Sequence, residues 1–537
     1  MAIEEPADQS GWRTALIRWR RSLVITLIFV VIAISCLRLA AQEEVGWRIS
    51  PKNINIQTGA DRPLQVLDDS AQELRGAEWS VDDSALADIR EEDGRAVVHA
   101  KAAGTVRIIA TLHGEQRFRE IKIWSQDQPL APGTTKWGTH PIGREIGDIS
   151  AVPTPGGPSV FSLEQTANGK TYLRGVRDDG IQIWNWLMPE TTRDVDLVCG
   201  DWLGGALISA NRNDSYTLYT VGNDGKLRWQ HMLSGIRKAH AYNREHVMNV
   251  LSQSPDGFAA TVSGLDQATG EKKFDLTIPA SHEQLTNVRR SGTQILCAQD
   301  PSSSPVRILT SRLFVNIDDF AYVAFTEHES TLTAPTCTLG AAIAARDVSV
   351  VREDRVVLWQ IHPDGTYRRT IVEESKGTRA LSVPVSAPSP TGGIIPDDSG
   401  GVLLSIRKPA PSTGNDVARS TEEHVYRLNQ NGDFVYKFLL PKYDGKLHDE
   451  MLLGQDNVVA FATRGGTLVA FNVQDGKEVW RWDTPQEIEA YAALANGGCL
   501  VQTPTAVVEV ENSTISKKVL DGKVMIDWQG HMYRKHN

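Results

Sequence analysis

The sequence predicts an all-β protein: an N-terminal transmembrane helix, a small β-sandwich, and then a β-propeller of eight blades, with seven as the alternative. Three observations predict this fold class. An apolar run lies within residues 23–41, alternating strand patterns fill residues 45–125, and a glycine turn followed by alternating residues recurs through residues 146–537. Recurrence at a fixed interval indicates a repeat architecture.

The composition is that of a folded body that lies mostly in water. The chain has 537 residues, of which 41% are hydrophobic and 23% are charged, with a formal net charge of -10. A mean hydropathy of -0.28 excludes a protein with many membrane spans. Nucleic acid is not an expected partner, because phosphate binding needs clustered Lys and Arg, and no basic stripe lies beyond the N-terminus.

The cysteines form no metal or haem motif. Neither C-x-x-C nor C-x-x-C-H spacing occurs, so zinc bound by cysteine and attached haem are not expected. The last four cysteines could form up to two disulfides in an oxidising compartment, and buried free thiols in strands are the simpler expectation. The five are Cys36, Cys199, Cys297, Cys337 and Cys499.

The apolar run from Leu23 to Leu37 predicts a helix that crosses a membrane. At 1.5 Å per residue the run spans only about 22 Å, so residues up to Ala41 must be recruited past Arg38 to cross a core of about 30 Å. Four arginines precede the run and two glutamates follow it, which places residues 1–22 in the cytoplasm and the large C-terminal part outside. These residues are Arg13, Arg18, Arg20, Arg21, Glu43 and Glu44.

Three outcomes are compatible with this segment. A retained signal-anchor over residues 23–41 is favoured, because the leader is long and contains acidic residues. Lipidation at Cys36 is the second, since residues 33–36 resemble a lipoprotein box. Cleavage after Ala41 is the third.

Residues 45–125 predict a compact β-sandwich. In the segment from Val106 to Leu112, alternate residues are apolar, and after a turn at residues 113–115 the segment from Phe118 to Trp124 repeats the alternation. This period of two is typical of half-buried strands joined in a hairpin. Short strands separated by turns about every ten residues favour a sandwich of about 80 residues.

The order of short motifs in this module resembles the bacterial immunoglobulin-like group 2 domain. The motifs are Ile49-Ser50-Pro51, the Trp79-Ser80-Val81-Asp82-Asp83-Ser84 element, Leu86 to Ile89, and Gly104-Thr105-Val106 before the closing strands. The resemblance implies an Ig-like sandwich without catalytic residues on an exported protein. It leaves two roles open: a structural spacer, or a module that binds a surface ligand.

After a linker at residues 126–145, a turn phrase with glycine recurs along the chain. Between the glycines of successive phrases the spacings are 45, 45, 95, 67, 44 and 46 residues. Asp-Gly and Asn-Gly allow the tight turn of a hairpin, and about 45 residues leave room for four strands. Four-stranded sheets bury both faces by stacking radially, which predicts a propeller over residues 146–537. The glycines are Gly180, Gly225, Gly270, Gly365, Gly432, Gly476 and Gly522.

The two irregular spacings have separate explanations. The spacing of 95 predicts a degenerate blade between Ser281 and Phe320, which brings seven visible repeats to eight blades. The spacing of 67 contains a Pro/Ser-rich tract from Val383 to Pro396 and a polar loop from Pro409 to Thr421, both interpreted as insertions.

The phrase from Gly465 to Trp480 resembles the repeat of pyrroloquinoline-quinone-type propellers, in which a strand and a turn are followed by Gly-Lys-x-x-Trp. In that family the tryptophan lies between blades and docks on a neighbour's glycine. The resemblance therefore assigns Trp184, Trp229 and Trp480 to the scaffold rather than to a ligand site.

The same resemblance raises an enzyme as the alternative, since some such propellers are quinone-dependent alcohol or sugar dehydrogenases. Those enzymes use a vicinal disulfide, calcium and an Asp base. This sequence has no adjacent cysteines and no acidic cluster with calcium spacing. We therefore predict no cofactor, and a binding or scaffolding role with an envelope protein as partner.

No other motif predicts catalysis. G-x-S-x-G, P-loop and H-E-x-x-H patterns are absent. His240 and His246 are six residues apart, which fits no common ligand pair, and His448-Asp449-Glu450 has no neighbouring nucleophile. We predict no catalytic, cofactor-binding or metal-binding residues. A polysaccharide-cleaving propeller remains open, because its acid and base would come from different blades.

Overall fold

The computed structural model describes the chain from residue 46 to residue 533. The gaps within this range are residues 53, 93–94, 128–135, 140–141, 152–156, 190–193, 202, 213–214, 235–237, 244–245, 292, 317, 337, 381–386, 397–400, 410–420, 441–450, 455–457, 495, 522–523 and 527–531. The predicted transmembrane segment at residues 23–41 lies outside the described residues, as does Cys36. Among the described residues, no helix is long and apolar enough to span a bilayer.

Two sheets built from residues 47–124 enclose the first hydrophobic core. The strands are β1 Trp47–Ser50, β2 Ile54–Gln57, β3 Asp61–Asp68, β4 Glu73–Leu74, β5 Glu78–Val81, β6 Ala87–Glu92, β7 Arg95–Ala100, β8 Gly104–Leu112 and β9 Glu115–Trp124. One sheet has the order β1-β3-β7-β6 with β4 on β3, and the other has the order β2-β9-β8-β5. As the alternation predicted, Val106, Ile108 and Leu112 are buried in this core while Arg107 is exposed.

Three four-stranded antiparallel sheets follow, each with its strands in chain order. The first contains β10 Arg144–Ala151, β11 Val160–Gln165, β12 Thr171–Val176 and β13 Gln182–Leu187. The second contains β14 Asp194–Gly200, β15 Ala206–Arg212, β16 Ser215–Val221 and β17 Leu227–Ser234. The third contains β18 Lys238–Asn243, β19 Val247–Gln253, β20 Ala260–Asp266 and β21 Lys272–Ile278.

The fourth sheet is larger because its three main strands are 13, 13 and 14 residues long. Its region contains β22 Ser281–Leu285, β23 Val288–Ser291, β24 Gln294–Cys297, β25 Ser302–Val306, β26 Leu309–Thr310, β27 Phe314–Val315, β28 Ala321–Thr333, β29 Ala342–Ile343, a 3₁₀ turn at Ala345–Asp347, β30 Ser349–Ile361 and β31 Tyr367–Ala380. The order is β25-β22-β28-β30-β31, with β26 and β27 also paired to β28. The strands β23, β24 and β29 form a separate small sheet.

Three further four-stranded sheets and one pair of strands complete the described chain. They are β32 Ser389–Pro396, β33 Val402–Pro409, β34 Thr421–Leu428 and β35 Phe434–Leu439; β36 Leu452–Leu453, β37 Val459–Arg464, β38 Thr467–Asn472 and β39 Glu478–Asp483; β40 Ala490–Ala493, β41 Cys499–Gln502, β42 Ala506–Glu511 and β43 Thr514–Asp521; and the pair β44 Met525–Ile526 with β45 Met532–Tyr533.

Apolar clusters join each sheet to the next, which is the stacking expected of propeller blades. One cluster combines Phe161 and Trp184 of the first sheet with Ile208 of the second. Equivalent clusters lie at the following junctions, and the last contains Val507 of the seventh sheet with Val524. The first strands of neighbouring sheets also lie side by side, as β10 and β14 do. The predicted propeller-like stacking is therefore present.

The predicted degenerate blade between Ser281 and Phe320 is wrong. In the described residues this segment does not form a four-stranded sheet of its own. Residues Ser281–Leu285 and Ser302–Val306 extend the edge of the fourth sheet, and Gln294–Cys297 belongs to the small sheet. The spacing of 95 residues between Gly270 and Gly365 therefore arises from one large blade. This blade contains the long strands β28 and β30 and the shorter strands paired to its edge.

Two other sequence interpretations also need correction. Residues Ser389–Pro396, taken as part of an insertion, form β32, because Ile394 is buried in the core between the fourth and fifth sheets. The phrase at Gly522 begins outside the described residues, and the strand after it, β44, pairs with β45 instead of closing a four-stranded sheet. In the seventh sheet the turn before the outer strand is at Asn512 and Ser513, both with positive φ, and β43 follows it.

Candidate interaction surfaces

Aromatic side chains of the outer strands dock on glycines of the next blade. The indole Nε1 of Trp184 donates to the carbonyl of Asn223 at 2.8 Å, and that of Trp229 donates to Gln267 at 2.9 Å. A Cβ placed on Gly225 or on Gly270 would lie 2.7 Å from the docked indole. These contacts place Trp184 and Trp229 in the scaffold, as the resemblance implied. Trp480 is buried in the core between the sixth and seventh sheets.

Replacing Gly270 with alanine should lower the free energy of unfolding by at least about 2 kcal/mol. The residue has a φ of +74°, and the new methyl group would overlap the Trp229 indole, so backbone strain adds to overpacking. The control is Gly169→Ala, whose φ is +81° with no atom within 4 Å of the new Cβ. Urea unfolding of both variants isolates the docking contribution, and equal losses would contradict it.

Trp137 makes the same contact although it lies in the predicted linker. Its Nε1 donates to the carbonyl of Asp178 at 2.8 Å, and a Cβ on Gly180 would lie 2.8 Å from its ring. The adjacent Gly138 pairs with Lys52 through backbone hydrogen bonds of 2.8 and 2.6 Å. Trp137 therefore contacts the first blade as the outer-strand tryptophan of a preceding blade would.

A repeat signal for Trp137 was present in the sequence and was missed. The residues from Gly133 to Trp137 read Gly-x-x-x-Trp, as do those from Gly180 to Trp184 and from Gly225 to Trp229. The two glycines at 133 and 180 are 47 residues apart, close to the repeat period. The repeat pattern thus begins before residue 146.

The N-terminal module packs directly against the first blade. Arg62 Nη1 donates to the carbonyl of Asp179 at 2.9 Å, and Asn185 Nδ2 donates to the carbonyl of Ser70 at 2.5 Å. The Gln182 amide donates to the carbonyl of Ala71, which is fully buried. We call this contact region the seam. It joins the module to the blade through the Gln182 and Asn185 side chains of β13 and the carbonyl of Asp179 in the turn before it.

A buried ion pair lies in the first blade beside the seam. Arg174 Nη1 is 2.9 Å from Glu164 Oε1, and both side chains are 1% exposed. Arg174 Nε donates to Gln182 at 2.7 Å, while Glu164 Oε2 accepts the backbone N–H of Ile142 at 2.5 Å and that of Gly143 at 3.4 Å. The pair is thus held by hydrogen bonds on both sides, as a buried pair requires.

Exposed apolar side chains lie on the outer strands of several blades, including Leu187, Leu227, Met232 and Ile515, and six more lie on the outer strands of three consecutive blades. Within the described residues, no strand pairs with the outer edges of β31, β35 and β39. Free edges with apolar side chains are typical of surfaces that accept another strand. We call these six side chains the outer rim surface. They are Tyr367, Ile371, Phe434, Val435, Leu439 and Val479, with exposed fractions from 44% to 57%.

A charged crease separates β31 from β35 in this surface. Glu373 accepts hydrogen bonds of 2.5 Å from Lys408 Nζ and from the Tyr426 hydroxyl, and Lys437 lies over the Tyr426 ring. Burial acts to raise the pKa of Glu373, but the bonds from Lys408 and Tyr426 outweigh it and lower the pKa. Burial, with the Glu373 carboxylate, raises the pKa of Tyr426. The crease therefore holds an ionised carboxylate at Glu373, and the neutral phenol of Tyr426 is buried beneath it.

The three histidines considered in the sequence analysis lie in different parts of the chain. His246 is exposed and its Nδ1 lies 2.8 Å from Asp319 Oδ2, so it is a surface pair. The backbone of His240 is in β18, and His448-Asp449-Glu450 lies outside the described residues. None of the described histidines, cysteines and acids form a cluster of three able to hold a metal.

One Ser-His-Asp set could not be predicted from the sequence, because its members lie on two paired strands. His328 Nδ1 is 2.6 Å from Asp354, and its Nε2 is 3.1 Å from Ser330 Oγ. Ser330 is 5% exposed inside a continuous sheet, its backbone held in the ladder between β28 and β30. A nucleophile needs a free oxyanion site and access for substrate, so this set is a buried polar contact that fixes strand register.

The sequence comparisons identify a repeat segment at the C-terminal end. Residues 405–531 match the family model described as outer membrane protein assembly factor BamB, a model of pyrroloquinoline-quinone-type repeats. This segment covers β34 to β44 and includes the phrase from Gly465 to Trp480. The predicted repeat type is confirmed for this part of the chain. No curated protein matches the chain by sequence.

Several solved structures are similar to this chain at low identity. BamB from Moraxella catarrhalis is 12% identical over 80% of this chain and 94% of its own, with a TM-score of 0.34. A functionally unknown protein from Desulfotomaculum acetoxidans is 8% identical over 67% of this chain and 95% of its own, with a TM-score of 0.34. Hsv2 from Kluyveromyces lactis is 12% identical over 58% and 72%, with a TM-score of 0.31.

Proposed function

We propose that this chain is a membrane-anchored envelope protein whose β-propeller is a non-catalytic platform for binding another protein. The outer rim surface carries the proposal, because free strand edges with exposed apolar side chains are suited to a protein partner. The repeat match over residues 405–531 supports it, since the matching family model is described as an assembly factor and covers β35 and β39.

We also propose the number of blades, the role of the N-terminal module and the position of the membrane anchor. The ring has eight blades, and its last blade combines β44 and β45 with Trp137 on the outer side. The contact of β40 with β44 and the docking of Trp137 on the first blade both support this. The module at residues 45–125 is an Ig-like spacer, and residues 23–41 anchor the chain in the membrane with the N-terminus in the cytoplasm.

Weakening the outer rim surface should abolish partner capture without unfolding the protein. The variant Phe434→Ser with Val435→Ser removes two of its side chains, which are 57% and 48% exposed. Crosslinking in intact cells, followed by affinity purification, should recover a reproducible envelope partner with the wild type and at least about tenfold less with the variant. Its free energy of unfolding should change by no more than about 0.5 kcal/mol per site, because both sites are exposed.

The matched control is Phe118→Ser with Val351→Ser, whose side chains are 57% and 43% exposed elsewhere on the chain. This control should retain capture. Equal loss in both double variants, or no reproducible partner with the wild type, would contradict the platform. Turnover of an alcohol or sugar by the purified chain with pyrroloquinoline quinone, calcium and a dye acceptor would favour the enzyme alternative instead.

A further inference from the structure

The seam covers a polar face of the N-terminal module. Trp47 and Ile49 belong to the module core, so Arg48 and Ser50, which alternate with them on β1, point the opposite way. Gln65 of β3 lies directly opposite Ser50 and shares its face. Ser50 is 0% exposed and Gln65 is 1% exposed. This face is therefore buried outside the module's own core, on the side where the first blade packs.

Several hydrogen-bonding groups on this face have no partner among the described residues. They are Nε and Nη2 of Arg48, Oγ of Ser50, and both amide atoms of Gln65. Buried polar groups in folded proteins are almost always hydrogen-bonded, and an unpaired one costs free energy. Arg48, Ser50 and the amide nitrogen of Gln65 are donors on two paired strands, so this face is suited to a ligand with acceptor atoms.

The local charge indicates the sign of that ligand. Burial, followed by the positive charges of Arg119, Arg48 and Arg174, lowers the pKa of Lys52, and no carboxylate opposes them. Burial, followed by the charge of Arg174, also lowers the pKa of Arg48, although the carboxylates of Asp69, Asp68 and Glu164 act to raise it. Arg174 itself is already paired with Glu164. The cations of this group exceed its carboxylates by one, which favours an anion; they are Arg48, Lys52, Arg119 and Arg174 against Asp68, Asp69 and Glu164.

We propose that the seam binds a small oxoanion, of the class of inorganic phosphate or sulfate, held by Arg48, Lys52, Ser50 and the amide nitrogen of Gln65. The guanidinium of Arg48 matches an oxoanion in shape and offers two free donors, and the hydroxyl and amide supply neutral ones. Ser50 and Gln65 are covered, which favours a small anion over a large one. Its binding fastens the module to the propeller.

Calorimetric titration of the full-length chain with inorganic phosphate tests this site. The chain is purified in non-ionic detergent and dialysed into chloride buffer of matched ionic strength. We expect saturable binding of one phosphate per chain. We also expect the unfolding temperature to rise by about 2–4 °C once phosphate exceeds its dissociation constant many-fold.

The variant Arg48→Met distinguishes a ligand-binding arginine from a structural one. Its affinity for phosphate should fall at least about tenfold. In chloride buffer it should unfold close to the wild-type temperature, because Nε and Nη2 of Arg48 make no hydrogen bond with the described residues that the substitution would remove. A purely structural arginine predicts a lower unfolding temperature with and without phosphate.

Two further variants complete the experiment. Arg107→Met removes an exposed arginine from the other sheet of the module and should leave phosphate binding unchanged. Gln65→Leu removes the amide alone, which keeps the test available if Arg48→Met fails to fold, and it should weaken binding. Absence of phosphate binding in the wild type, or undiminished binding in both seam variants, would overturn the site.

Discussion

Replacing Trp137 with alanine should lower the free energy of unfolding by about 2–3 kcal/mol, although sequence position places this residue in a linker. The cost follows from the lost contact with Gly180 and the lost hydrogen bond to Asp178. It lies below the 3–5 kcal/mol that a fully buried tryptophan costs, because Trp137 is only half-buried. Urea unfolding followed by far-UV circular dichroism measures the change.

Two controls separate blade docking from a general effect of removing an aromatic side chain. Trp229→Ala makes the same change at a buried docking position and should cost about 3–5 kcal/mol. Phe118→Ala, at an exposed site of the module, should change the free energy by no more than about 0.5 kcal/mol. If Trp137→Ala behaves like Phe118→Ala, residues 136–139 are a passive linker and the composite last blade is wrong.

The repeat could be predicted from the sequence because its signal is local. A glycine turn and an aromatic residue four positions later are enough to mark the hairpin and the docking residue, as at Gly225 and Trp229. The alternation of apolar and polar residues in β8 could also be predicted, since each side chain's direction follows from its position in the strand. The residues from Gly133 to Trp137 have the same pattern, which was overlooked because residues 126–145 were assigned to a linker.

What could not be predicted depends on pairing between distant segments. The wide spacing between Gly270 and Gly365 gave no indication that β28, β30 and β31 are long strands of one sheet, because strand length is set by the neighbouring strand. The Ser330 and His328 contact with Asp354 requires the register of two strands. The seam is a further example, since Gln182 and Ala71 are far apart in sequence.

Glu164→Gln should be among the most damaging single substitutions in the first blade, lowering the free energy of unfolding by about 3–5 kcal/mol. The shape of the side chain is preserved, but Arg174 is left as a buried cation without its carboxylate. Arg48 and Lys52 lie close enough for their charges to act on Arg174, so its unpaired charge adds to theirs. Urea unfolding at low ionic strength measures the loss.

A double-mutant cycle shows whether this loss comes from the ion pair. Arg174→Met alone should also cost about 3–5 kcal/mol, whereas the combination with Glu164→Gln should cost much less than the sum, because neither charge is then buried alone. Glu92→Gln is the control, since its pair with Arg90 is exposed and its loss should leave the free energy of unfolding nearly unchanged. Strictly additive losses in the cycle would show that Glu164 acts through the backbone N–H groups of Ile142 and Gly143 instead.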